Sequence, residues 1–112
     1  MLAYLASKEQ FLKDAPTIDD IVAAQVKKNL NISVGHSETQ SWRNSLGNAM
    51  FHVMSDASIP NDSTVAVEYR LNGRKFRIDF LIAGRDSSGK ESMVIVELKQ
   101  WEDISFSALD GH

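Results

Sequence analysis

Apolar positions recur at helical spacing through residues 1–58 and at alternating spacing through 64–100, so the pattern predicts helices first and a sheet second. Ser7, with Gln10 three positions on and Phe11 and Leu12 behind it, has the form of a capping box that opens a first helix. Thr17 follows Pro16 and precedes Asp19 and Asp20, which suits a second helix start. Ile18, Ile21, Val22, Val26 and Leu30 then form one stripe, with Lys27 and Lys28 in the last turn. A third helix is predicted from Ser37, again with a glutamine, Gln40, three later. Its stripe is Trp42, Leu46, Ala49, Met50, Val53 and Met54, and it ends near Ala57, before the turn cluster Ser58-Ile59-Pro60-Asn61-Asp62.

Strands follow at about 64–71, 74–83 and 92–100. Val65, Val67, Tyr69 and Leu71 alternate with Ala66, Glu68 and Arg70, and Phe76, Ile78, Phe80 and Ile82 alternate with Arg77, Asp79 and Leu81. Asn72-Gly73 between them is a strong two-residue hairpin signal. A loop of those two residues sets Ala66 opposite Asp79 and Glu68 opposite Arg77. Glu68 is then a diagonal neighbour of Asp79, with alpha carbons about 7–8 Å apart. The polar connection Gly84-Arg85-Asp86-Ser87-Ser88-Gly89-Lys90-Glu91 leads to the third strand. Putting Val94, Val96 and Leu98 on the same face as Ile82, Phe80 and Ile78 sets Glu97 opposite Asp79 and Lys99 opposite Arg77. The fold class expected is therefore α+β: amino-terminal helices packed on a three-stranded antiparallel meander, in one domain over 1–112.

Composition narrows the function classes. The chain has 112 residues, 43% hydrophobic and 24% charged, ordinary for one soluble globular domain. It has no cysteine, which removes disulfides and thiolate metal sites. No apolar run reaches the ~20 residues of a membrane span, and the start is too short for a signal-peptide core. A cytoplasmic protein without membrane contact is expected. The net charge of −3 argues against a generally basic coat, so any nucleic-acid contact falls to a local patch.

The chemistry concentrates on the polar face of the strands. Glu97 and Lys99, two apart, point the same way, and the register brings Asp79 beside them. Two carboxylates and a lysine on one sheet face are the parts of a metal-dependent nuclease. Asp79 and Glu97 are the candidate ligands of Mg²⁺ or Mn²⁺, which take oxygen donors. Glu68 either completes that shell or pairs with Arg77. Lys99 is the candidate to orient an attacking water and offset charge on a phosphate. For Asp79 and Glu97 the competing reading is an ion pair with a strand arginine or lysine. Arg43, Arg70 and Arg77 are candidate phosphate contacts, as is Gln100, which serves equally as an ordinary surface side chain. Arg74 and Lys75 flank the hairpin tip and read as a solvated turn. Trp42 belongs to the apolar stripe, whereas Trp101 is open to core or base stacking. His36, His52 and His112 share no ligand spacing.

Helices followed by a meander carrying Asp79 and Glu97-Leu98-Lys99-Gln100 resemble the PD-(D/E)-x-K nuclease superfamily, over about residues 37–100. The resemblance implies a partial restriction-endonuclease-like αβββ core, and superfamily members often carry a glutamine after the lysine. Ile78 stands where the literal motif has proline. A narrower likeness rests on Tyr4-Leu5, Ser7-Lys8-Glu9-Gln10-Phe11-Leu12, Ser41-Trp42-Arg43-Asn44-Ser45-Leu46, Arg77-Ile78-Asp79-Phe80 and Val94-Ile95-Val96-Glu97-Leu98-Lys99-Gln100-Trp101. Together these resemble the amino-terminal region of bacterial proteins with a Schlafen-like DNA/RNA helicase domain. That likeness implies a DNA or RNA substrate and an ATP-driven domain downstream in the same protein. No Walker-type loop occurs within the chain. The superfamily core needs a further helix and strand, so a longer protein, or a second copy of the chain, is expected to supply them. Two further classes stay open: a non-catalytic nucleic-acid-binding or regulatory module of the same fold, and an oligomerisation domain.

Overall fold

The amino-terminal apolar run is a strand, not a helix. The computed structural model describes residues 1–72, 75–85 and 88–98. It opens with β1 (Leu2–Ser7), which pairs antiparallel with β2 (Thr64–Asn72). The Met1 ammonium donates to the Tyr69 carbonyl at 2.6 Å, and the Tyr69 amide donates back to the Met1 carbonyl at 2.8 Å. β3 (Lys75–Arg85) and β4 (Glu91–Leu98) complete a sheet of order β1-β2-β3-β4, antiparallel throughout. The class is α+β as expected, but the sheet has four strands, with the meander extended at its β2 edge. Six residues of apolar sequence fit a strand or a helix turn equally by periodicity, and here the unpaired edge of β2 selects the strand. A bulge between Leu2 and Tyr4 lets Tyr4 face the core while Leu2 and Leu5 face the other way.

Helices cover one face only. In α1 (Lys8–Asp14) the Gln10 amide donates to Ser7 Oγ at 3.1 Å, so the predicted cap forms, and Phe11 is fully buried behind it. The Gln10 side chain does not reach back; it donates to Asp14. A 3₁₀ turn (Ala15–Thr17) leads to α2 (Ile18–Leu30), which buries Ile18, Val22 and Val26. Thr17 occupies the cap position of α2, but its hydroxyl donates backward to the Asp14 carbonyl at 3.4 Å. The third helical stretch is wound in three parts: α3 (His36–Trp42), a π-wound segment (Arg43–Met50) and α4 (Phe51–Met54). Gly35, not Ser37, stands at its cap. Trp42, Leu46, Met50 and Met54 are buried as predicted, while Ala49 and Val53 face outward. The wider π winding accounts for that change, because it keeps residues four apart on one face and turns the intervening ones away. Gly47 lies against the 3₁₀ turn: a Cβ there would stand 3.1 Å from the Ala15 carbonyl oxygen.

The core lies between these helices and Tyr4, Val65, Val67, Tyr69, Ile78 and Phe80 of the sheet. Phe11 stacks edge-on against Phe80, with ring centroids 5.3 Å apart, and Trp42 against Tyr69 at 6.0 Å. Trp42 is thus core, and its indole N–H is buried without an acceptor. Lys8 is also buried. Its ammonium donates to the carbonyls of Asp56 and Ile59 at 2.8 and 2.6 Å, tying the segment after α4 to the end of β1. The helix layer stops short of β4, where Val94 is 54% exposed on the helix side. Among the described residues, no helix is long and apolar enough to cross a membrane.

Two registers determine which polar side chains meet on the sheet. β3 and β4 pair as predicted, with Asp79 opposite Glu97 and Phe80 opposite Val96. β2 and β3 do not: Asn72 pairs with Lys75, so the turn lies one residue later than Asn72-Gly73. Ala66 therefore stands opposite Leu81, and Glu68 directly opposite Asp79. Both registers keep the apolar residues on one face. They differ at the hairpin end, where the observed one sets Leu71 opposite Phe76, and the predicted one would set it opposite Arg74. Gly73 and Arg74 lie outside the described residues, as do Lys99, Gln100 and Trp101.

Candidate active site

The face of the sheet away from the helices is uncovered among the described residues. Its middle is apolar: Leu5, Ala66, Leu81 and Ile95 share one cross-strand row, with Leu5 and Ile95 each 61% exposed. The next row toward the hairpin is acidic, running Leu2, Glu68, Asp79, Glu97 across all four strands. The row after it is basic, with Arg70 opposite Arg77. Strand alternation puts these side chains on one face, and the two registers bring the three carboxylates side by side.

Asp79 is the centre of the arrangement. Its side chain is 7% exposed, although it lies on the uncovered face. Neighbouring strands flank it, and two guanidiniums lie against it. Arg70 Nε stands 3.3 Å from Asp79 Oδ2, and Arg77 Nη2 donates to the same oxygen at 3.4 Å. Arg77 Nε is 3.2 Å from Oδ1, yet it is not aligned to donate, and both atoms are buried without a hydrogen bond. The outer carboxylates share the same cations: Arg70 Nη2 donates to Glu68 Oε1 at 3.1 Å, and Arg77 Nη1 to Glu97 Oε2 at 3.3 Å. Every one of these contacts is longer than the about 2.7–2.9 Å of a good charge-assisted N–H···O bond. Like charges directly opposite on adjacent strands repel, so Arg70 beside Arg77 is tolerable only with the acidic row next to it. Three carboxylates against two guanidiniums leave the cluster with one negative charge in excess.

The donor chemistry suits a hard divalent cation. Carboxylate oxygens are what Mg²⁺ and Mn²⁺ take, and one or two carboxylates with phosphate and water suffice for Mg²⁺. The buried, unbonded Oδ1 of Asp79 is an oxygen without its complement of donors. In the present geometry the arginines are paired with the carboxylates, and among the described residues no three acidic or histidine side chains converge on one cation position.

Five of the candidates named from the sequence meet here: Glu68, Arg70, Arg77, Asp79 and Glu97. Arg70 and Arg77, expected on phosphates, lie on carboxylates instead. Lys99 and Gln100 come after β4, outside the described residues. Arg43 lies apart from this cluster. It sits in the helix layer on the far side of the sheet, and its Nε and Nη2 donate to Asp19 Oδ2 at 3.2 and 2.9 Å. Asp19 is buried in the first turn of α2, so Arg43 is held by a structural ion pair. Leu2, which closes the acidic row beside Glu68, was missed with the strand that carries it. An open cleft of about 530 Å³ lined by Asp62, Thr64, Gly84, Arg85 and Ser92 lies at the opposite end of β3 and β4, apart from this cluster. Comparison with protein-family models, with curated proteins and with solved structures finds no match to this chain.

Proposed function

We propose that the chain is a nuclease module that hydrolyses phosphodiester bonds of DNA or RNA with Mg²⁺ or Mn²⁺. The observation that carries this reading is the cross-strand row Glu68, Asp79, Glu97 on an open sheet face, with a buried, under-bonded aspartate at its centre. The resemblance to the PD-(D/E)-x-K superfamily, carried by Asp79 and Glu97-Leu98-Lys99, supports it. Asp79 and Glu97 would hold the cation, and Glu68 would complete the set directly or through water. Bound there, Mg²⁺ or Mn²⁺ supplies a lowered pKa for coordinated water and charge neutralisation at the phosphate. Lys99 would orient the attacking water, and Arg70 and Arg77 would meet the phosphates. A helicase-type domain in the same protein, or a second copy of the chain, would extend the cleft wall.

A second reading has an observation in its favour. Each carboxylate is ion-paired with an arginine, which fits a nucleic-acid-binding or regulatory module that keeps the fold without the chemistry. Plasmid nicking in Mn²⁺ separates the two. The nuclease reading expects cleavage that Asp79→Asn and Glu97→Gln each reduce by at least about 10-fold, the low end of the loss when even an outer-shell partner of a metal ligand is removed. Cleavage undiminished in both purified variants overturns it.

A further inference from the structure

We propose that Arg70 and Arg77 form an exchangeable cover over the acidic row, released by the phosphodiester, so that substrate and divalent cation bind cooperatively. This rests on the nuclease reading and adds the order in which the site assembles. The two arginines and a cation need the same oxygens. Asp79 Oδ2 is contacted by both guanidiniums, and Oδ1 faces Arg77 Nε at 3.2 Å. While they remain, a cation entering the row meets two positive charges at contact distance and carboxylates already shared.

The geometry also shows why the cover can leave. All its contacts lie between 3.1 and 3.4 Å, and Arg77 Nε, though beside a carboxylate, makes no hydrogen bond. The arginine side chains are 53% and 42% exposed, so solvent already reaches them on the uncovered face. The Arg43–Asp19 pair in the same chain shows the contrasting case: two bonds to one buried oxygen, the shorter at 2.9 Å. A phosphate diester offers guanidinium the planar, bidentate partner that this strand geometry denies it. Transfer of Arg70 and Arg77 to phosphate leaves three adjacent carboxylates with no counter-charge, which is the state that binds a divalent cation most strongly. The exchange is reciprocal: cation bound to the carboxylates frees the arginines for phosphate, and each ligand raises the affinity of the other by the same factor.

Mn²⁺ binding, read from the free-ion electron paramagnetic resonance signal, tests this with and without a saturating phosphorothioate oligonucleotide. Mn²⁺ bound by the oligonucleotide alone is subtracted with the Asp79→Asn protein. Wild type is expected to bind Mn²⁺ at least about 5-fold tighter with the oligonucleotide, the lower end of typical coupling. The Arg70→Gln/Arg77→Gln protein is expected to bind Mn²⁺ at least about 5-fold tighter than wild type with no oligonucleotide, and to gain nothing further from it. Arg85→Gln, at a remote exposed pair with Glu91, calibrates the effect of losing one positive charge. Equal Mn²⁺ affinity of wild type with and without oligonucleotide overturns the exchange while leaving the nuclease reading intact. Absence of Mn²⁺ binding to any form overturns the nuclease reading itself. Should the double variant fail to fold, the wild-type comparison alone decides.

Discussion

Replacing Arg43 by glutamine is expected to destabilise the fold and leave phosphodiester binding unchanged. The magnitude depends on where each partner lies. The Asp19 side chain is 2% exposed and receives both arginine bonds on one oxygen, whereas Arg43 is 51% exposed. Breaking a buried ion pair by removing one partner costs about 3–5 kcal/mol, because a charge is left buried alone. The exposed guanidinium is screened by water, and exposed pairs contribute only about 0.2–1 kcal/mol. Asp19 also keeps its place in the first turn of α2, where the helix dipole contributes about 0.3–1 kcal/mol to a carboxylate. A loss of about 2–3 kcal/mol results from discounting the buried figure for that screening. In urea this is a midpoint shift of roughly 0.7–3 M at unchanged slope, for a slope of about 1–3 kcal/mol/M.

The companion variant Asp19→Asn removes the buried charge, and the double variant closes a cycle. A coupling of about 1.5–3 kcal/mol between the two sites is expected, as for residues in one ion-pair network. A loss below about 0.5 kcal/mol in Arg43→Gln is what a free surface side chain gives, and it would refute the structural assignment. So would the opposite pattern, in which oligonucleotide affinity falls and the urea curve does not move. Arg43 would then belong with the phosphate contacts after all.

Two further outcomes concern buried polar groups. Lys8→Met removes a buried ammonium that holds two carbonyls after α4, and is expected to cost about 1–3 kcal/mol in a urea melt; an unchanged midpoint would show that the latch contributes nothing. Burial, with the bond from its hydroxyl to Asp14 Oδ2 at 2.7 Å, raises the Tyr4 pKa far above its ordinary 10.0. The unfolded chain gives up this proton first, so the Tyr4 contribution is complete below pH 10 and shrinks as pH climbs above it. The stability difference between wild type and Tyr4→Phe should therefore hold below about pH 10 and narrow as pH rises above it, and a constant difference would contradict it.

How much of the fold and the site was legible depended on whether a local rule had a long-range competitor. The β3–β4 register was readable because strand parity and a buried face leave few choices, and Asp79 opposite Glu97 came with it. The β2–β3 register was misplaced by one turn position, because Asn72-Gly73 is a strong local hairpin signal, whereas the observed ladder closes with Asn72 opposite Lys75 and sets the turn one residue later. Residues 2–7 carry apolar sequence too short to separate strand from helix, and only the presence of an unpaired β2 edge decides. Asp19 looked like a dipole-favouring residue at a helix start, which it is. Its pairing with Arg43, 24 positions away, needs the packing of α2 against the π-wound segment, and no spacing in the sequence announces it.

The one-turn difference at the hairpin changes the chemistry as well as the register. With the predicted turn, Glu68 faces Arg77 directly and is consumed by it, and Arg70 faces Lys75. With the observed turn, like stands opposite like: carboxylate across from carboxylate, guanidinium across from guanidinium. Neither row is favourable alone, since each sets equal charges on adjacent strands. Each is held by the other, through diagonal contacts that are long and shared. A sheet seeking only stability would interleave the charges. Segregated rows instead set the acidic row and the basic row about 7 Å apart, along two residues of strand, and make each the counter-ion of the other.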